Sequence, residues 1–198
     1  MTRFSLAWVG LAAWLGACAL LGWPLNHHTI DWQPALAFSQ PWRAFTAVGV
    51  HYSVNHLVGN LAGVALAGVF GVAALVPARM AGAWLAAWPL THLGLLVKPA
   101  LTHYGGLSGV VHAGVAVVIV FVLAGGTHRQ RLVGTAVAIG FCAKLLSESP
   151  WGQALRHPVG WDIAVAPIAH ATGALAGAAC AAVAWLLPQR RPAPENHD

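Results

Sequence analysis

Charged residues cut this chain into long apolar runs. Uncharged stretches extend from Phe4 to His28, Ala44 to Ala78, Met80 to Val97, Pro99 to His128, Leu132 to Ala143 and Ile163 to Gln189. A helix crosses the hydrocarbon core of a bilayer with about 20 mainly apolar residues; the fifth run reaches this only by continuing past Lys144 to about Ser147. The pattern therefore predicts six spanning helices, at about 4–23, 55–76, 80–98, 107–125, 132–148 and 163–187. Six such helices use most of the chain. The expected fold is all-α: a polytopic membrane protein, one six-helix domain over residues 1–198 with a disordered, Pro-rich tail at about 189–198.

The connections are uneven. Pro24 to about Asn55 is the longest, with Trp32, Trp42, Tyr52 and the run Arg43-Ala44-Phe45-Thr46. Aromatic residues at this density suit a membrane interface, so the loop is expected on or in the outer leaflet, or as an external loop with interfacial anchors. Pro77 to Arg79 and Gly125 to Arg131 make short turns, and Ser149 to Trp161 forms the last external loop.

Composition agrees. Hydrophobic residues make up 58% of the 198 and charged residues 8%, with a mean hydropathy of +0.68; a soluble domain carries roughly a quarter charged residues. With the N-terminus cytoplasmic, Arg3, Arg79, Arg129, Arg131, Arg190 and Arg191 lie inside, and Arg43, Lys98 and Arg156 outside. That asymmetry satisfies the positive-inside rule with both ends in the cytoplasm. The net charge of +5 is thus a topology signal; the basic residues form no stripe, so no nucleic-acid partner is expected. Cys18, Cys142 and Cys180 fall within predicted spans at no metal or redox spacing and read as small apolar fillers.

Chemistry is expensive to bury in apolar helices, so the polar residues there need a reason. Gly106-Leu107-Ser108-Gly109 sets a hydroxyl between glycines where the fourth span begins. A helix start directs free N–H groups and the positive dipole end outward, which suits a developing oxyanion. The plainer alternative is that Ser108 only caps the helix. The sixth span carries His170; counted from Ile163, it lies on the order of 10 Å below the helix end. His56 and Asn60 share one face of the second span near its outer end, and both can donate hydrogen bonds. They could equally be polar contacts between helices.

Small residues supply close-packing faces: Gly173 and Gly177 on the sixth span, Gly109, Ala113 and Gly114 on the fourth. A crossing there would bring Ser108 and His170 within reach. All three sites fall toward the external side, which points to a serine hydrolase working within the membrane. A rival from another class is a membrane cytochrome with His56, His92, His112 and His170 as axial ligands, which leaves the glycine-flanked Ser108 unexplained.

His56-Leu57-Val58-Gly59-Asn60, Gly106-Leu107-Ser108-Gly109 and Ala169-His170-Ala171-Thr172-Gly173-Ala174-Leu175-Ala176-Gly177 resemble the motifs of rhomboid intramembrane serine proteases. Trp42-Arg43 followed by Thr46 looks like the signature of their first loop. The resemblance implies a Ser108–His170 dyad with no acidic third member, and an oxyanion hole from the Ser108 N–H with His56 and Asn60. It implies no cofactor and no metal. Within that family the likeness is to rhombosortases, carried by the short length, the run Gly106 to His112 and Lys144-Leu145-Leu146-Ser147-Glu148. Rhombosortases are small enzymes of the bacterial inner membrane, and the likeness implies GlyGly-CTERM anchors as substrates, a site open to the periplasm, and release of the acyl-enzyme by water or by an amine.

Many rhomboids carry tyrosine where this chain has His112. One turn from Ser108, it should face the same cleft, either stacked on His170, which is the favoured expectation, or as a second polar group there. Gly106, Gly109 and Gly173 are expected to support the site. Lys144 and Glu148, one turn apart, read as an ion pair or as a pair contacting substrate. The alternative within the same fold is a catalytically silent membrane binding protein.

Overall fold

The computed structural model describes residues 5–187; the tail expected at about 189–198 lies outside them. Six long helices form the bundle: α1 Leu6–Gly22, α2 Val54–Ala73, α3 Ala78–Leu93, α4 Ser108–Gly125, α5 His128–Ser147 and α6 Pro167–Leu186. No strand occurs among the described residues, only isolated bridges Trp32–Tyr104 and Arg156–Val165. Helices α2, α4 and α6, and α3 with the 3₁₀ turn to Val97, are long and apolar enough to cross a membrane, and α1 is a shorter apolar helix of 17 residues. The protein is an all-helical membrane bundle.

Two helix starts depart from the hydropathy pattern by four residues, each for a local reason. Helix α5 begins at His128 rather than near 132, because Thr127 and Gln130 form a reciprocal capping box that satisfies the first N–H groups. Helix α6 begins at Pro167 rather than 163. Val165 is held extended by paired bonds to Arg156 (2.8 and 2.9 Å), and proline occupies a first-turn position where no N–H is needed.

Helix α4 is central and meets α2, α3, α5 and α6. Trp8 of α1 and Trp84 of α3 meet at 4.5 Å between ring centroids. Both buried indoles are satisfied: Trp8 Nε1 donates to the Ala67 carbonyl (3.2 Å) and Trp84 Nε1 to the Val110 carbonyl (2.8 Å). Gly114 accommodates the Trp84 ring, so it serves α3 and not the expected face toward α6. Helix α5 is the outlier, with Gly134 its one buried residue.

The loop between α1 and α2 is a folded brace. Trp32 is fully buried with Leu95, Leu101 and Tyr104, so it is a core residue and not the expected interfacial anchor; Trp42 and Tyr52 are exposed. Arg43 is buried and donates to the Asp31 carboxylate (2.9 Å), the Asp31 carbonyl (2.8 Å) and Gln40 Oε1 (2.6 Å). Such a pair is costly to break from one side, because the remaining charge is left uncompensated. Thr46 Oγ1 donates to the Ile30 carbonyl (2.7 Å). The brace reaches the segment that leads into α4: Trp32 and Tyr104 exchange two backbone bonds, and Gly106 N donates to the Ala47 carbonyl (2.9 Å).

Candidate active site

Ser108 is the first residue of α4, with Leu107 at the N-cap position. Its hydroxyl does not cap the helix; Ser108 Oγ lies 3.0 Å from His170 Nε2. The capping alternative is thereby displaced. His170 is the fourth residue of α6, in its first turn, so both groups sit at helix starts on one side of the bundle. The greater depth expected for His170 came from counting through residues 163–166, which are not helical.

Backbone contact sets the separation. A Cβ on Gly173 would run into the Gly109 carbonyl oxygen, and one on Gly177 into the Ala113 carbonyl oxygen. A Cβ on Gly109 would lie 2.8 Å from the Ala169 oxygen. The two helices therefore touch main chain to main chain on the faces bearing serine and imidazole.

His56 and Asn60 line the same cavity as Ser108 and His170, a space of about 480 Å³. The Tyr52 N–H donates to His56 Nδ1 (3.4 Å), so the proton of the neutral ring belongs on Nε2, leaving that atom a donor. Asn60 Nδ2 is buried with no hydrogen-bond partner among the described residues. A buried amide donor without an acceptor is unfavourable unless a ligand supplies one. Gly106 fits between them in two respects. Its φ of +136° suits glycine, and a Cβ there would stand 2.9 Å from His56 Nε2 and 3.8 Å from Asn60 Nδ2.

His112 stacks on His170, with centroids 4.2 Å apart and planes at 12°. No porphyrin fits between rings so placed, so His112 and His170 do not form an axial pair across a haem. Around this stack one proton assignment satisfies every atom. His112 Nδ1–H donates to the Ser108 carbonyl (2.6 Å), which leaves its Nε2 to accept from the Lys144 ammonium (2.6 Å). Lys144 also donates to Glu148 Oε1 (2.9 Å). Glu148 Oε2 lies 2.6 Å from His170 Nδ1.

The ion pair expected of Lys144 and Glu148 is therefore present, but both side chains also turn inward to the two imidazoles. An acidic group does approach His170, against the arrangement that the resemblance implied. The sequence held a signal for this: an acid near one end of a span, level with a histidine near the corresponding end of another. Asp162, by contrast, is a residue that pattern did not single out. It accepts from Ser53 Oγ (2.9 Å) and Asn55 Nδ2 (3.0 Å), tying the loop before α6 to the start of α2. In the same loop Trp161 rests against Gly59.

A family model described as the Rhomboid domain matches residues 39–187. No curated protein and no solved structure matches the chain significantly.

Proposed function

Since the chain belongs to the rhomboid family of intramembrane serine proteases, we propose that it is an active endopeptidase with Ser108 as nucleophile and His170 as general base. The observation that carries this is the 3.0 Å approach of Ser108 Oγ to His170 Nε2, on the wall of a cavity that holds an unpartnered amide donor. Hydroxyl and imidazole at that separation can exchange a proton without further rearrangement.

In the proposed reaction Ser108 Oγ gives its proton to His170 Nε2 as it bonds to the scissile carbonyl carbon. The carbonyl oxygen becomes an oxyanion, stabilised by the N–H groups at the start of α4, His56 Nε2–H and Asn60 Nδ2. His170 then hands the proton to the departing amide nitrogen, the C–N bond breaks, and water releases the acyl group from Ser108. Helix starts favour this chemistry, because they aim N–H groups and the positive dipole end at the developing charge.

For substrate, the reading is a membrane-tethered protein with Gly-Gly ahead of an apolar anchor helix and a basic tail, of the GlyGly-CTERM type. Its support is the likeness of Gly106 to His112 and of Lys144 to Glu148 to the rhombosortase runs. The setting is the bacterial inner membrane, with both termini cytoplasmic and the cavity open to the periplasm, supported by the distribution of basic residues.

The test uses purified protein in proteoliposomes. A fluorophosphonate probe should label the protein, with the adduct mapped to Ser108 by mass spectrometry, and a tethered Gly-Gly substrate should be cut at its anchor. Absence of any adduct removes the protease reading; labelling without cleavage of that substrate removes only the substrate assignment. Asn60→Ala should lower kcat by about 10²- to 10³-fold, equivalent to about 2.7–4 kcal/mol, with KM little changed, as loss of one oxyanion donor does. A steady-state comparison with wild type decides it.

A further inference from the structure

We propose that Glu148 is a positioning residue, the third member of a Ser108–His170–Glu148 triad; this rests on the protease reading above. A neutral imidazole carries one proton on one of two nitrogens, and only the form protonated at Nδ1 leaves Nε2 able to accept from Ser108. Two groups compete for Nδ1. Glu148 Oε2 is 2.6 Å away and is an acceptor, which draws the proton to Nδ1. Lys144 Nζ is 3.2 Å away and is a donor, which would push it to Nε2 and silence the base.

The surroundings resolve this competition. Lys144 has two better partners, His112 Nε2 at 2.6 Å and Glu148 Oε1 at 2.9 Å, and His112 is free to accept because its own proton is spent on the Ser108 carbonyl. Glu148 thus divides its oxygens, one to the ammonium and one to the imidazole. Its backbone is held as well: the Glu148 carbonyl accepts from Arg156 Nη1 (2.7 Å). When His170 takes the serine proton, the adjacent carboxylate offsets the imidazolium charge without itself being protonated. Glu148 is the C-cap residue of α5, so the nucleophile, base and orienting acid come from α4, α6 and the end of α5 in turn.

The experiment compares Glu148→Gln, Glu148→Asp and the double variant Lys144→Met/Glu148→Gln with wild type in proteoliposomes. Glu148→Gln should lower kcat and the rate of fluorophosphonate labelling by about 10²- to 10⁴-fold with KM within a few-fold. Glu148→Asp should retain more activity than Glu148→Gln, and the double variant should stay as low as the single. Wild-type rates in Glu148→Gln, or recovery of them in the double variant, overturn the assignment; recovery would make the loss an effect of uncompensated Lys144 charge.

A readout independent of turnover and of Ser108 is the histidine proton spectrum in a Ser108→Ala background. A far-downfield Nδ1 proton should be present with Glu148 and lost with Gln, at an unchanged thermal midpoint in detergent. Its persistence in the Gln variant counts against the triad. Wild-type protein that never labels removes the protease reading and the triad together, whereas labelled wild type with an indifferent Glu148→Gln removes the triad alone.

Discussion

His170→Ala is expected to lower kcat for anchor cleavage by about 10⁴- to 10⁶-fold while KM stays within a few-fold. The ring is the one base within reach of Ser108 Oγ among the described residues, and its other nitrogen is engaged by Glu148. His112, though stacked beside it, cannot substitute. Its Nδ1 is bound to the Ser108 carbonyl and its Nε2 to Lys144, so it presents neither nitrogen to the hydroxyl. What rate remains would come from binding and the proposed oxyanion donors alone. Single-turnover cleavage with excess enzyme is the suitable measurement, because it isolates acylation from product release. Activity above about one part in a hundred in this variant would show that another group removes the serine proton.

The second large effect is structural. Gly173→Leu should cost more than about 4 kcal/mol, in the range reserved for gross overpacking, and should abolish labelling of Ser108 together with cleavage. The leucine would have to enter the contact between the Gly173 backbone and the Gly109 carbonyl, where even a methyl group has no room. Neither neighbour can yield, since both are main chain. Moving α6 away would separate His170 from Ser108 by the same displacement, so fold and chemistry fail together. Gly140→Ala is the matched control: nothing lies within 4 Å of a Cβ there, and the change should be neutral to mildly stabilising. Thermal midpoints in detergent, read beside labelling, check both. A Gly173→Leu protein as stable as wild type would mean that α4 and α6 do not meet as described.

Much of this was legible in the chain because bilayer physics is blunt. Charges excluded from hydrocarbon mark the helix limits, and small residues at i and i+4 mark where two helices approach. Ser108, His170, His56 and Asn60 could be singled out because each is a polar residue in an apolar setting. Where hydropathy misled, a local bond outweighed it. The capping box at Thr127 extended α5 through charged Arg129 and Arg131, and the Arg156–Val165 pairing withheld residues 163–166 from α6.

Partner choice was harder to read. Lys144 and Glu148 satisfy the one-turn spacing of an ion pair so well that spacing offered no hint of a second contact. The approach of Glu148 to His170 depends on how two helix ends sit in three dimensions. Trp32 shows the same limit: its composition suggested a lipid interface, yet the backbone bridge to Tyr104 draws it into the interior.

The glycine contact between α4 and α6 has a consequence for how this protein can change over generations. A spacing held by carbonyl oxygens and α-carbons is indifferent to the identity of side chains elsewhere. Exposed positions such as Leu66, Val69, Ile139 and Leu175 can therefore drift with the lipids of the host while serine and imidazole keep their distance. Inheritance is strict at a few atoms of backbone and lenient over most of the outer wall.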